Sequence, residues 1–126
     1  MAFFWVPGVP AGQGRISTIN GHSFHSNAKD LKPWREKIAW VAKAARVPLL
    51  EGAVRLELRF VLVKPKTVKR EYPTVAPDLD HYIRASFDAL SGIAYKDDSQ
   101  VVEVIASKLY GDTPGVGVTV TPLLSL

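Results

Sequence analysis

The sequence has no cysteine, which excludes disulfides and thiolate metal sites, so any metal must be held by oxygen or imidazole. A chain without disulfides suits a reducing cytoplasm, that of a cell or of a virus's host. The sequence also lacks any apolar run of the roughly 18 residues needed to span a bilayer. The opening stretch Ala2-Phe3-Phe4-Trp5-Val6 is too short for that, and no basic segment precedes it. It is therefore read as a first strand, not a secretory signal. No internal repeat, low-complexity segment or dividing linker is visible.

What is present suits a single domain over residues 1–126. Apolar residues make up 47% of the chain, and a domain of this size buries roughly two-thirds of the surface that it exposes when unfolded. The net charge is +4, with 12 acidic residues. Several of those acids crowd into two stretches, 78–88 and 97–98, which leaves the rest more basic than the total suggests. A protein that holds a polyanion while keeping an acidic spot for a cation needs that distribution.

The periodicities predict an α+β fold. Residues 2–7 read as a strand, followed by a loop rich in glycine and proline. Asn20-Gly21 sits between residues 15–19 and 22–25 as a type I′ hairpin signal. Pro33 suits the first turn of a helix. Leu31, Trp34, Ile38, Val41 and Ala45 follow at helical spacing, taking that helix to about Arg46. Residues 54–62 alternate, with Val54, Leu56, Leu58, Phe60 and Leu62 on one face and Arg55, Glu57 and Arg59 on the other. A second helix is expected over about 79–91, its buried side formed by Leu79, Ile83, Phe87 and Leu90. Two further strands, 100–110 and 116–121, are separated by Gly111, Pro114 and Gly115. The expectation is a mixed, mostly antiparallel sheet of about four to five strands with two packed helices. Trp34 and Trp40 are read as core or dimer interface.

The chemistry concentrates in Pro77-Asp78-Leu79-Asp80 at the start of the second helix, and in Asp97-Asp98 some eighteen residues later. Asp80, Arg84 and Asp88 lie along the helix's polar side. A return loop is expected to bring Asp98 back toward Asp78 and Asp80. Two carboxylates about 4–5 Å apart repel by roughly 3–4 kcal/mol at an effective dielectric near 20, a cost that a divalent cation reverses. All-oxygen ligation suits Mg²⁺ or Mn²⁺. The bland reading of the same residues is helix capping by Asp78 or Asp80, a turn at Asp97-Asp98, and a surface row of ion pairs along the helix.

The run from Pro77 through His81-Tyr82-Ile83-Arg84-Ala85-Ser86-Phe87-Asp88-Ala89-Leu90, then Tyr95-Lys96-Asp97-Asp98-Ser99-Gln100-Val101-Val102, resembles the core of the RusA family of Holliday junction resolvases. That family's pattern reads D-L-D-N, K-A, D-A-L and D-D-x-Q-V, and the spacing is kept throughout. Pro10 to Arg15 and Lys108-Leu109-Tyr110-Gly111 resemble weaker family features. The resemblance implies a homodimeric endonuclease of DNA recombination and repair. Such an enzyme nicks two strands of a four-way junction symmetrically, with Mg²⁺ or, as substitute, Mn²⁺. It makes Asp78, Asp80 and Asp98 the catalytic, metal-holding aspartates, with Asp97 and Asp88 as supporting acids. Two positions depart from the pattern. Arg84 stands for the family's lysine and keeps its charge, but it cannot donate a proton near neutral pH, so an electrostatic role is expected. His81 stands for the asparagine and is either a ligand, a phosphate contact or a solvated side chain. DNA contact is expected from Lys64, Lys66, Lys69 and Arg70 of the basic loop, and from Arg15, His81 and Lys108. The rival readings are a non-catalytic binder of branched or single-stranded DNA, and an interaction protein whose acids merely cap a helix.

Overall fold

The computed structural model describes residues 1–14, 16–19, 22–25 and 28–124. Six strands and two helices are seen among the described residues: β1 Ala2–Pro7, β2 Ile16–Ile19, β3 His22–His25, α1 Ala28–Ala44, β4 Val54–Leu62, α2 Leu79–Leu90, β5 Val101–Tyr110 and β6 Gly115–Pro122. A short 3₁₀ turn, Asp98–Gln100, leads into β5. Four strands form one sheet in the order β1-β6-β4-β5. Its β1–β6 and β4–β6 pairings are antiparallel, and its β4–β5 pairing is parallel. The sheet is mixed and mostly antiparallel, as the alternating patterns predict.

β2 and β3 pair with each other as a separate hairpin. The Asn20-Gly21 turn and Arg15 lie outside the described residues.

The alternation along β4 sets the core. Val54, Leu56, Leu58 and Phe60 are buried on the face that meets both helices, joined by Phe4 and Val6 of β1 and Val116, Val118 and Val120 of β6. Each fully buried aliphatic or aromatic side chain contributes about 1.5–3 kcal/mol. From α1, Leu31, Trp34, Ile38 and Ala42 pack onto them, and from α2, Tyr82, Ala85, Ala89 and Leu90. The rings of Phe60 and Tyr82 stack at 5.0 Å, which anchors the start of α2 over the C-terminal part of β4.

Three expectations need correction. First, α1 begins at Ala28, so Pro33 lies inside the helix rather than in its first turn. Ala45 is exposed and Ala42 takes its place in the core. The helix ends because Arg46 turns to φ 56°. There Val47 N–H donates to Ala42 O at 3.2 Å and Arg46 N–H to Lys43 O at 3.0 Å, a Schellman closure on a non-glycine residue.

Second, the buried side of α2 is centred on Tyr82, Ala85, Ser86, Ala89 and Leu90, while Leu79, Ile83 and Phe87 are only half-buried. Small side chains mark the line of closest helix approach, and the larger apolar ones flank it. Ser86 is tolerated there because its hydroxyl donates to Tyr82 O at 3.0 Å. Third, Trp40 is 71% exposed, so the core half of its expectation fails and the interface half is untouched. Among the described residues, no helix is long and apolar enough to cross a membrane.

Candidate active site

The path from β4 to α2 runs through the basic loop and ends at the acidic start of the helix. Lys64, Lys66, Lys69 and Arg70 are all exposed. The loop is folded back on the last residue of β5: Arg70 Nε donates to the Tyr110 hydroxyl at 3.0 Å, and Lys64 Nζ lies 5.8 Å from the Tyr110 ring centre. Further along, the Lys108 ammonium donates to the carbonyls of Val75 at 2.7 Å and Pro77 at 3.1 Å. Lys108, expected as a DNA contact, thus ties β5 to the segment that carries Asp78.

Asp78 occupies the N-cap position of α2, yet its side chain makes no capping hydrogen bond. The bland explanation for this aspartate therefore fails, and its carboxylate is left for another use. Asp78, Asp80 and His81 each offer a ligand atom, and these atoms lie within 4.8 Å of one another. Both carboxylates are exposed, so water screens their repulsion well below its interior value. His81 is half-buried, with Nε2 4.0 Å from Asp80 Oδ2. Two carboxylates and an imidazole at that spacing fit a hard or borderline divalent cation. Arg84, one turn on and exposed, makes no ion pair or hydrogen bond among the described residues. The i, i+4 ion-pair row is thus not formed through Arg84.

The N-terminal loop closes over this helix start. Gln13 N–H donates to His81 O at 2.9 Å. A Cβ at Gly12 would meet Pro77 Cβ at 2.8 Å and His81 Cβ at 3.0 Å. Only glycine permits so close an approach. Glycine in a sequence does not say what it approaches, so this contact was not legible beforehand.

Asp98 is elsewhere. Residues 94–100 pack at the other end of α2: Tyr95 Oη donates to Phe87 O at 2.9 Å, and Leu50 N–H donates to Ala94 O at 2.9 Å. Burial pushes the Tyr95 phenol above its ordinary range, and the nearby charges of Asp98 and then Asp88 add to the shift. Asp98 thus lies near Tyr95, which is bonded close to the C-terminal end of α2, whereas Asp80 is in the first turn of that helix. It is absent from the Asp78–Asp80–His81 group. The return loop does not bring it back within one chain, because β5 starts beside the start of β4, and α2 runs its full length between the two acidic stretches.

The supporting acids are engaged in structure. Asp97 caps the 3₁₀ turn, accepting from Ser99 N–H at 3.0 Å. Hydrogen bonds from the Ser99 side chain and backbone hold its carboxyl below the usual range. Gln100 completes the capping box with Oε1, accepting from Lys96 N–H and Asp97 N–H. Its Nε2 donates to Leu50 O and Gly52 O. Asp88 lies 3.7 Å from Arg35 Nη1, which also donates to Gln13 Oε1 at 3.4 Å.

The family model for endodeoxyribonuclease RusA matches residues 6–121. An uncharacterized protein of Bacillus subtilis (strain 168), YqaN, is 34% identical over 132 residues that span 93% of each chain. The match takes in the basic loop, the acidic helix start and β5 together, and the chain belongs to the RusA family of endodeoxyribonucleases.

Proposed function

We propose that this protein is a metal-dependent, structure-specific endonuclease that resolves four-way DNA junctions by paired symmetric nicks, working as a homodimer with Mg²⁺ or Mn²⁺. The observation that carries the reading is the Asp78 carboxylate, which makes no capping bond, grouped with Asp80 and His81. These three residues would hold the ion. When bound, such an ion orients water, lowers its pKa and neutralises charge on phosphoryl oxygens.

The chain's own groups do the rest. Arg84 presents a free guanidinium one turn from Asp80, suited to bidentate contact with a phosphate, and it serves by charge rather than by proton transfer. The exposed lysines of the 64–70 loop carry the flanking backbone on the same end of the sheet. Cleavage is expected to leave a 5′-phosphate and a 3′-hydroxyl.

Asp98 enters from a second copy. One chain holds it a helix length from Asp78 and Asp80, whereas a two-fold axis can bring the partner's acidic turn to that end and place two such sites on opposite strands of a junction. The test is Asp80→Asn assayed on a synthetic four-way junction with Mg²⁺, where nicking should be lost while junction binding persists. Undiminished nicking would reject the metal role. A wild-type protein that shifts the junction in a gel yet never nicks it across a panel of metals would favour a non-catalytic binder.

A further inference from the structure

A cleft opens beside the acidic helix start, between the loop that follows β1 and the first half of α1. It measures about 560 Å³, within the roughly 300–1,000 Å³ range of sites that take small molecules. Val9, Pro10, Pro33 and Pro77 line it, together with the ring of Trp34. Pro77 immediately precedes Asp78, so this lining is continuous with the candidate active site. Flat, apolar sides of this kind suit a planar ring.

Two charges of opposite sign are set on the apolar frame. Lys37 and Asp30 belong to the lining and are exposed. Neither makes an ion pair or side-chain hydrogen bond among the described residues. The Lys37 ammonium lies over Gly8, where a Cβ would come within 2.9 Å of it. Gly8 also has φ 126°, a conformation that glycine adopts at no steric cost. The bare backbone at position 8 thus leaves room for the ammonium at the cleft.

These charges choose the occupant. A phosphate in the cleft would meet the Asp30 carboxylate, which repels it. A nucleobase carries both hydrogen-bond donors and acceptors on its edges, so it can use Lys37 as a donor and Asp30 as an acceptor together. Lys29 and Lys32, exposed on the adjoining face of α1, are placed for the backbone of the same strand. Extruding a base costs least where it is already unpaired or poorly stacked, and a junction interrupts stacking at its branch point.

We propose that this cleft takes one unstacked nucleobase of the junction, next to the phosphate held at Asp78 and Asp80. Lys37 and Asp30 read its edge, and the prolines enclose its faces. The rate of nicking then depends on which base stands there. The inference rests on DNA being held at Asp78 and Asp80, and it adds base selection to that site.

Cross-linking tests it without metal or cleavage. A fixed four-way junction carries 4-thiothymine at one nucleotide near the branch point at a time, and the metal-free complex with wild-type protein is irradiated. One position should cross-link to residues 8–11 or 30–37, and Lys37→Met should weaken that cross-link. With Mg²⁺, an abasic residue at that position should slow wild-type nicking about tenfold, the size of one lost base contact. In the double variant Asp30→Ala, Lys37→Met the same abasic residue should change the rate by less than about twofold, because the contact is already gone. A bound junction that cross-links only to the 64–70 loop, or an abasic junction nicked as fast as the intact one, would overturn the cleft and leave the nuclease reading standing. Cross-links in the cleft from a protein that nicks with no metal would do the reverse.

Discussion

The ammonium of Lys108 and the carbonyl of Pro77 are 3.1 Å apart, a bond that joins the segment before the acidic helix to the edge strand β5. Because the same ammonium also holds Val75 at 2.7 Å, the entry to α2 is fixed from two points. Lys108→Met should leave the core intact and loosen the placement of Asp78. Partners that orient metal-holding residues typically matter 10–100-fold. We expect a loss of about that size in Mn²⁺ affinity by calorimetry, with a melting temperature within a few degrees of wild type. Unchanged affinity would show that Lys108 has no part in placing the site.

Mixing two inactive proteins tests the sharing of the site between subunits. If each site takes Asp78 and Asp80 from one copy and Asp98 from the other, Asp80→Asn and Asp98→Asn complement each other. Random exchange makes about half the dimers mixed, each with one intact site, so about a quarter of wild-type nicking should return. Junctions should then be nicked once rather than twice. No recovery after verified subunit exchange would place all three aspartates in one chain or remove Asp98 from the site.

The basic loop makes a prediction about salt. Lys66 and Lys69 are exposed and bond to nothing else among the described residues, whereas Arg70 is held by Tyr110. If each of the two lysines neutralises one phosphate, replacing both with alanine reduces the slope of log K against log salt by about 2. Fluorescence anisotropy on a labelled junction between about 50 and 200 mM salt measures this. An unchanged slope would mean that the loop is only solvated surface.

Tyr95 should contribute to the alkaline limit of the fold. Its phenol is pushed above the ordinary value of 10.0, by burial first and by Asp98 and Asp88 next. A raised folded-state pKa gives stability that is fully present below pH 10 and is lost as pH rises beyond it, because the unfolded chain releases the proton more readily. Denaturant titrations should show stability falling above pH 10. In Tyr95→Phe that fall should be shallower, while stability at neutral pH drops by about 1 kcal/mol, since Phe87 O loses its donor. An alkaline limb identical to wild type would place the titrating group elsewhere.

Period and motif carried much of this molecule. The alternation from Val54 to Phe60 gave the central strand and its buried face, and Asp78-Leu79-Asp80 gave the acidic helix start. Other features could not be read from spacing. The helical wheel favoured Leu79, Ile83 and Phe87 over Ala85, Ser86 and Ala89 because it weighs size, whereas close packing selects smallness. Lys108 looked like a surface cation because nothing along the chain shows that carbonyls 31 and 33 residues earlier lie within its reach. The distance from Asp98 to Asp80 depends on which end of β5 lies beside which end of α2, and that is a property of topology. Gln100 reads as part of an acidic motif, yet its amide splints the turn to Leu50 and Gly52.

The bare backbone of Gly12 against Pro77 and His81 has a consequence for how this protein can change. Any side chain at position 12 forces the first turn of α2 outward unless residue 77 or 81 shrinks with it. The amino-terminal segment and the acidic helix are therefore bound to vary as a pair. A chimera that takes one from a distant relative and keeps the other would fold around a displaced Asp80, even though neither half carries a defect of its own.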